Sequence, residues 1–143
     1  MTHAADATVR MITEEEAMGK VAEVYADIKA TKGIASIPNF WRVLATYPDN
    51  LEMIWTRLKT LMHPEASGRK SFLDPATREI IALAVSATNG CAYCINSHTA
   101  ALRKLGCDTE TLGEVMAIVA LFNSTNALAE GYQVKPDVLP PLD

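Results

Sequence analysis

Asp74-Pro75-Ala76-Thr77-Arg78-Glu79-Ile80-Ile81-Ala82-Leu83-Ala84-Val85-Ser86-Ala87-Thr88-Asn89-Gly90-Cys91-Ala92-Tyr93-Cys94-Ile95-Asn96-Ser97-His98 decides both the fold and the candidate chemistry. Asp74 reads as an N-cap and Pro75 as the first helical residue, where its missing N–H costs nothing. From Ile80 to Ala87 the chain is apolar nearly all round, which predicts a central buried helix. Asn89-Gly90 breaks that helix. A second helix then runs from about Cys91 to Leu105 and stops at Gly106. At 100° per residue, Cys94 and His98 lie within about 60° of Cys91 around its axis, so two thiols and an imidazole share one face.

Outward from this pair, helical patterns occupy most of the chain. Towards the N-terminus, Thr13 and Glu16 form a capping box, and Ala17, Val21, Val24, Tyr25 and Ile28 make an apolar stripe that Gly33 ends. A connector with Pro38 leads to the aromatic segment Phe40–Leu44. Pro48-Asp49-Asn50 opens a helix with the stripe Leu51, Ile54, Trp55, Leu58, Leu61 and Met62, while Glu52, Arg57 and Lys59 face water. Pro64 to Ser71 reads as a loop. Towards the C-terminus, Asp108 or Thr109 caps a long helix reaching towards Glu130. No strand-like alternation and no internal repeat is visible. The reading is an all-α domain of about six helices over residues 1–143, with a tail at 1–12 and a Pro-rich arm at 134–143.

Composition narrows the function classes. The 143 residues, 49% hydrophobic and 21% charged, suit one globular domain that buries roughly two-thirds of its unfolded surface. A net charge of −4 without a basic cluster argues against nucleic acid or an anionic membrane surface as partner. No apolar run is expected to span a membrane, and the first residues lack the features of a signal peptide. The expected location is the cytoplasm, where a close CxxC is more often catalytic or metal-binding than structural.

Cys91 and Cys94, three positions apart on a helix, have Cα atoms roughly 5 Å apart, within disulfide range. A helix N-terminus favours thiolate, and His98, one turn on, can exchange a proton with Cys94. The plainer alternative is a pair of small buried hydrophobes. Glu79 precedes the buried run and shares a stripe with Ala76, Leu83 and Ser86. No Lys or Arg three or four residues away pairs with it. It reads equally as a proton relay or as half of an inter-helix ion pair with Arg103 or Lys104. Tyr93 is open between proton donor, pocket wall and packing. Cys107 reads as structural, His63 as a surface residue at a helix end, and His3 carries no signal. Phe40, Trp41 and Trp55 read as core, with an aromatic wall for an organic substrate as the alternative.

The segment from Leu73 to Ala101 resembles the AhpD-like alkylhydroperoxidase / carboxymuconolactone decarboxylase superfamily. What carries the resemblance is a Glu twelve residues before a CxxC and a His four residues after its second Cys. The likeness covers residues from about 13 to 130. It implies an all-helical protein that forms trimers or hexamers. It also implies a peroxidase chemistry in which Cys94 attacks the hydroperoxide, Cys91 resolves the sulfenic acid, and Glu79 with His98 relays protons. No bound cofactor or metal is implied. The disulfide so formed needs an external dithiol, of lipoyl-bearing or thioredoxin-like type, to reduce it. Well-studied members of the family carry a second His between the cysteines where this chain has Tyr93, which implies a relay that is shorter or differently wired. The sequence thus resembles the broad group of peroxidase-related relatives more than the dedicated partner of a peroxiredoxin. The decarboxylase branch generally lacks the CxxC pair.

Three rival readings differ in kind. A thioredoxin-type oxidoreductase would place CxxC after a strand. A metal site would draw on Cys91, Cys94 and His98, with Glu79 as a fourth ligand. A non-catalytic helical oligomer would use the thiols for redox sensing or partner binding.

Overall fold

The computed structural model describes residues 6–142, so the reading of His3 lies outside the described residues. Among them are six α-helices and no strand: α1 (Lys20–Lys32), α2 (Asn39–Leu44), α3 (Pro48–Met62), α4 (Pro75–Asn89), α5 (Ala92–Lys104) and α6 (Thr109–Gly131). A 3₁₀ turn at Pro64–Ser67 follows α3. The contacts divide the chain into two compact units, Met1–Phe72 and Leu73–Asp143.

In the first unit α1 and α3 pack together around Ile28, Leu51, Trp41 and Trp55, all 3% exposed or less. The two indoles meet edge to face at 5.3 Å between centroids, a favourable aromatic geometry. Phe40, expected in the core, lies at its rim, 40% exposed and edge-on to Trp41.

The Thr13 box does not open a helix. Its reciprocal hydrogen bonds form, Thr13 N–H to Glu16 and Glu16 N–H to Thr13 Oγ1, but they close a single turn. Helix α1 starts seven residues later, because Gly19 sits at φ 54° and ψ −130°, a conformation that a helix cannot pass through and that favours glycine. The segment before it is fastened instead by Glu14, which accepts from Lys29 Nζ at 2.6 Å and from the Ile37 N–H at 2.8 Å. Tyr25 adds a hydrogen bond to the Ile12 carbonyl, and burial pushes its phenol up to about 12.

Lys59, expected in water, is half-buried. It donates to both oxygens of Asp27, which also accepts from the Trp55 indole N–H at 2.7 Å. Leu61, placed on the apolar stripe, is 48% exposed.

The second unit is built on α4, α5 and α6. Leu83 and Leu102 are almost fully buried, and Val115 from α6 completes their cluster, with Ile95, Cys107 and Leu112 packed against it. Each helix start is capped by a side chain: Asp74 accepts from Thr77 N–H and Asp108 from Thr111 N–H. These bonds, the side-chain ones first, hold both carboxyls below the usual aspartate range.

Two expectations fail here. Helix α4 is not buried all round, since Ile81 and Val85 are about half exposed. Helix α6, at 23 residues, is long and apolar enough to cross a membrane by length and composition, with a mean hydropathy of 1.3 over its best window and none of that window buried. Within that helix the polar turn Asn123-Ser124-Thr125-Asn126 is absorbed by the average. Beyond residue 119 every described residue is exposed.

Candidate active site

Helix α4 ends at Gly90, whose φ of 70° lets the chain reverse at once into α5. The junction is fixed by a backbone hydrogen bond from Cys91 N–H to the Ser86 carbonyl at 3.0 Å. That contact left no mark in the sequence, because any residue at position 86 offers the same carbonyl. Ser86 spends its hydroxyl on the Ala82 carbonyl, as a buried serine in a helix must.

Cys91 is the N-cap of α5, and its Sγ accepts the N–H of Cys94 at 3.2 Å. The two cysteines are joined as a disulfide with Cα atoms 5.3 Å apart, which agrees with the helical spacing. Both residues are half-buried.

One turn beyond Cys94, His98 meets Glu79 from α4: Nδ1 lies 2.7 Å from Oε2, with the side chains 25% and 17% exposed. This settles the partner of Glu79. Arg103 is engaged elsewhere, donating to the Cys107 carbonyl and to Thr109 Oγ1. A carboxylate only accepts, so Nδ1 carries the hydrogen in this pair, and in a neutral ring Nε2 is left as the basic nitrogen.

Tyr93 stands on the outer side of the CxxC turn, 46% exposed. Cys107 is a free thiol packed against the Leu83–Leu102 cluster, as a structural cysteine would be. His63 caps the end of α3 with its ring 6.5 Å from Trp55. The indoles and Phe40 belong to the first unit's core and its rim. Among the described residues no three His, Cys, Asp or Glu side chains are grouped to hold a metal ion. Clefts of about 390 and 630 Å³ are lined only by residues of the first unit, such as Glu14 with Lys29 and Glu52 with Arg57.

The profile of the carboxymuconolactone decarboxylase family matches residues 56–134, which include Glu79, Cys91, Cys94 and His98. An alkyl hydroperoxide reductase AhpD from Rhodococcus erythropolis is 31% identical over 133 residues, 89% of this chain and 72% of that protein. An uncharacterized protein of Bacillus subtilis, YdfG, is 43% identical over 49 residues, and that match spans 34% of this chain and about a third of its own length (33%). The crystal structure of an alkylhydroperoxidase AhpD core from Rhodospirillum rubrum superposes with a TM-score of 0.84 at 41% identity, covering 93% of this chain and 96% of that one. With six helices among its described residues and a CxxC at the start of the fifth, this chain belongs to the carboxymuconolactone decarboxylase family in its AhpD-like form.

Proposed function

We propose that the protein is a thiol-dependent alkyl hydroperoxide reductase. The observation that carries the reading is the joining of Cys91 and Cys94 beside a His98 whose Nδ1 is held by Glu79. The relatives named as alkyl hydroperoxide reductases support it at the level of the family.

In the reduced protein, His98 takes the proton of Cys94 and Glu79 steadies the imidazolium that results. The thiolate attacks the outer oxygen of the hydroperoxide, the O–O bond breaks, and the alcohol leaves with a proton returned by the relay. Cys94 is then a sulfenic acid. Cys91, three residues away, condenses with it to the disulfide and releases water. An external dithiol, of lipoyl or thioredoxin type, restores the pair by exchange.

Tyr93 stands between the cysteines, where well-studied members of the family carry an extra imidazole, and is 46% exposed. Exposed Ile81 and Val85 on α4 and Ile118, Leu121 and Phe122 on α6 support a homo-oligomer that covers them, as a trimer or hexamer. The polar turn at Asn123–Asn126 favours that interface over lipid for α6. The negative net charge and reducible CxxC fit work in the cytoplasm.

Hydroperoxide consumption at fixed dithiol tests the proposal. The wild type is expected to turn over cumene hydroperoxide far faster than free cysteine does, and Cys94→Ser is expected not to. Equal rates for the two proteins would refute it.

A further inference from the structure

We infer that residues 10–18 form a strap that opens as one piece while the core of the first unit stays folded, with the carboxylate of Glu14 as its latch and Gly19 as its hinge. The device is independent of the thiol chemistry proposed above, whose residues lie in the second unit.

The strap holds its own shape. Thr13 and Glu16 exchange their reciprocal bonds, the Ala17 N–H donates to the Glu14 carbonyl at 3.3 Å, and Arg10 pairs with Glu16. Its attachment to the rest of the unit is sparse and mostly polar. Ile12 and Ala17 pack against the core but are only partly buried, and Met18 is 81% exposed. The cleft of about 390 Å³ lies between Glu14 and Ala17 on the strap and Ala22, Tyr25, Ala26 and Lys29 on α1. At this place the strap bridges α1 instead of packing flush on it.

Three anchors hold it down. At the near end the Ile12 N–H donates to the Arg42 carbonyl at 3.1 Å, and the Ile12 carbonyl accepts from the Tyr25 hydroxyl at 2.9 Å. In the middle Glu14 ties two elements together: Oε2 accepts from Lys29 Nζ on α1 at 2.6 Å and Oε1 from the Ile37 N–H at 2.8 Å. Both bonds end on an anion, which makes them the stronger kind, and Arg42 on α2 adds a favourable charge to the same carboxylate. At the far end Gly19, at φ 54° and ψ −130°, turns the chain away from α1. That conformation is costly for any residue with a Cβ, so glycine sets the joint between strap and helix. A segment with few apolar contacts and a handful of polar anchors opens at a lower free energy than the core beneath it.

The test is hydrogen exchange of the full chain at neutral pH, read by mass spectrometry on proteolytic peptides, for wild type, Glu14→Gln and Gly19→Ala. Glutamine keeps the shape of Glu14 but has one acceptor oxygen, so whichever way its amide turns an NH2 faces Lys29 or the Ile37 N–H. An alanine Cβ at position 19 would meet no atom within 4 Å, so that variant changes the backbone alone. Peptides covering residues 10–18 are expected to exchange at least about tenfold faster in each variant, while peptides from α1 and α3 keep their wild-type rates. Unchanged strap rates in Glu14→Gln would refute the latch, and unchanged strap rates in Gly19→Ala would refute the hinge. Acceleration of α1 and α3 to the same extent as the strap would show that the strap is no separate piece, and overturn the inference.

Discussion

Glu79 and His98 are 19 positions apart in the chain and 2.7 Å apart in the fold. The contact spans the α4–α5 pair, whose relative register is set by the tight reversal at Gly90 and by the Cys91–Ser86 backbone bond. An imidazole on one helix is thus oriented by a carboxylate on the helix that precedes it. The pair is expected to act as a unit, with effects on rate that do not add.

His98→Ala should lower kcat/KM for an organic hydroperoxide by about 10²–10⁴-fold, the range for losing a positioned base. Glu79→Ala should cost less, because the ring remains and only its orientation and charge support are lost. The double variant should be no slower than His98→Ala. Steady-state kinetics at fixed dithiol decide the matter. Additive losses would show that the two residues act separately, and unchanged kcat/KM with a lowered Tm would show a structural pair.

The stability of the second unit hangs on a small apolar cluster. Leu102 is fully buried between Leu83 and Val115. Leu102→Ala should therefore destabilise it by about 2–5 kcal/mol, read as a shift in denaturant midpoint. Exposed Lys104→Ala serves as the control and should leave the midpoint in place. A Leu102→Ala loss below about 1 kcal/mol would contradict the packing described.

Acid should weaken the fold in a predictable window. Lys29 and the Ile37 N–H hold Glu14 below its usual 4.5, and the Thr77 and Thr111 bonds hold Asp74 and Asp108 below 3.8. Burial raises Asp27, but its bonds from Lys59 and Trp55 outweigh that and leave it lowered too. A group lowered on folding stabilises above its unfolded value and stops doing so as the pH falls through its folded one. Tm should be level near neutrality and fall once the pH drops below about 4.5, the upper of these values. Asp74→Asn keeps a capping acceptor without the titration, so its decline should be shallower. A Tm that rises on acidification would contradict these pairings.

Much of this was readable one helix at a time. Asp74-Pro75 and Pro48 mark helix starts, Gly33 and Gly90 mark stops, and the cysteine spacing fixes a shared face, all from local chemistry. What escaped depends on what lies across the fold. Lys59 finds Asp27 at 32 positions' distance, and Glu79 finds His98 only because α4 and α5 pack in one register. The Thr13 box was legible and its bonds form, yet Gly19 ends the turn before a helix can grow. Helix α4 was read as buried because its residues are apolar; Ile81 and Val85 show that apolar and covered are separate properties.

Those exposed residues carry the expectation of an oligomer. Light scattering on the purified protein should give a mass three or six times that of one chain. Val85→Glu combined with Phe122→Glu should lower it by placing unpaired charge in the apolar face. A monomeric wild type would refute the oligomer.

The central claim is that Cys94 reacts with the hydroperoxide and Cys91 resolves it. Its most direct test is intact-mass analysis with disulfide and sulfenic-acid mapping after a brief pulse of organic hydroperoxide on reduced protein. Wild type is compared with Cys91→Ser and Cys94→Ser. Serine is itself a favoured N-cap, so Cys91→Ser should keep the start of α5 intact. The account predicts a rapid Cys91–Cys94 disulfide in the wild type, a sulfenic acid on Cys94 when Cys91 is serine, and no oxidation of Cys91 when Cys94 is serine. Thiols that stay reduced, or a sulfenic acid on Cys91 in the Cys94→Ser protein, would contradict it.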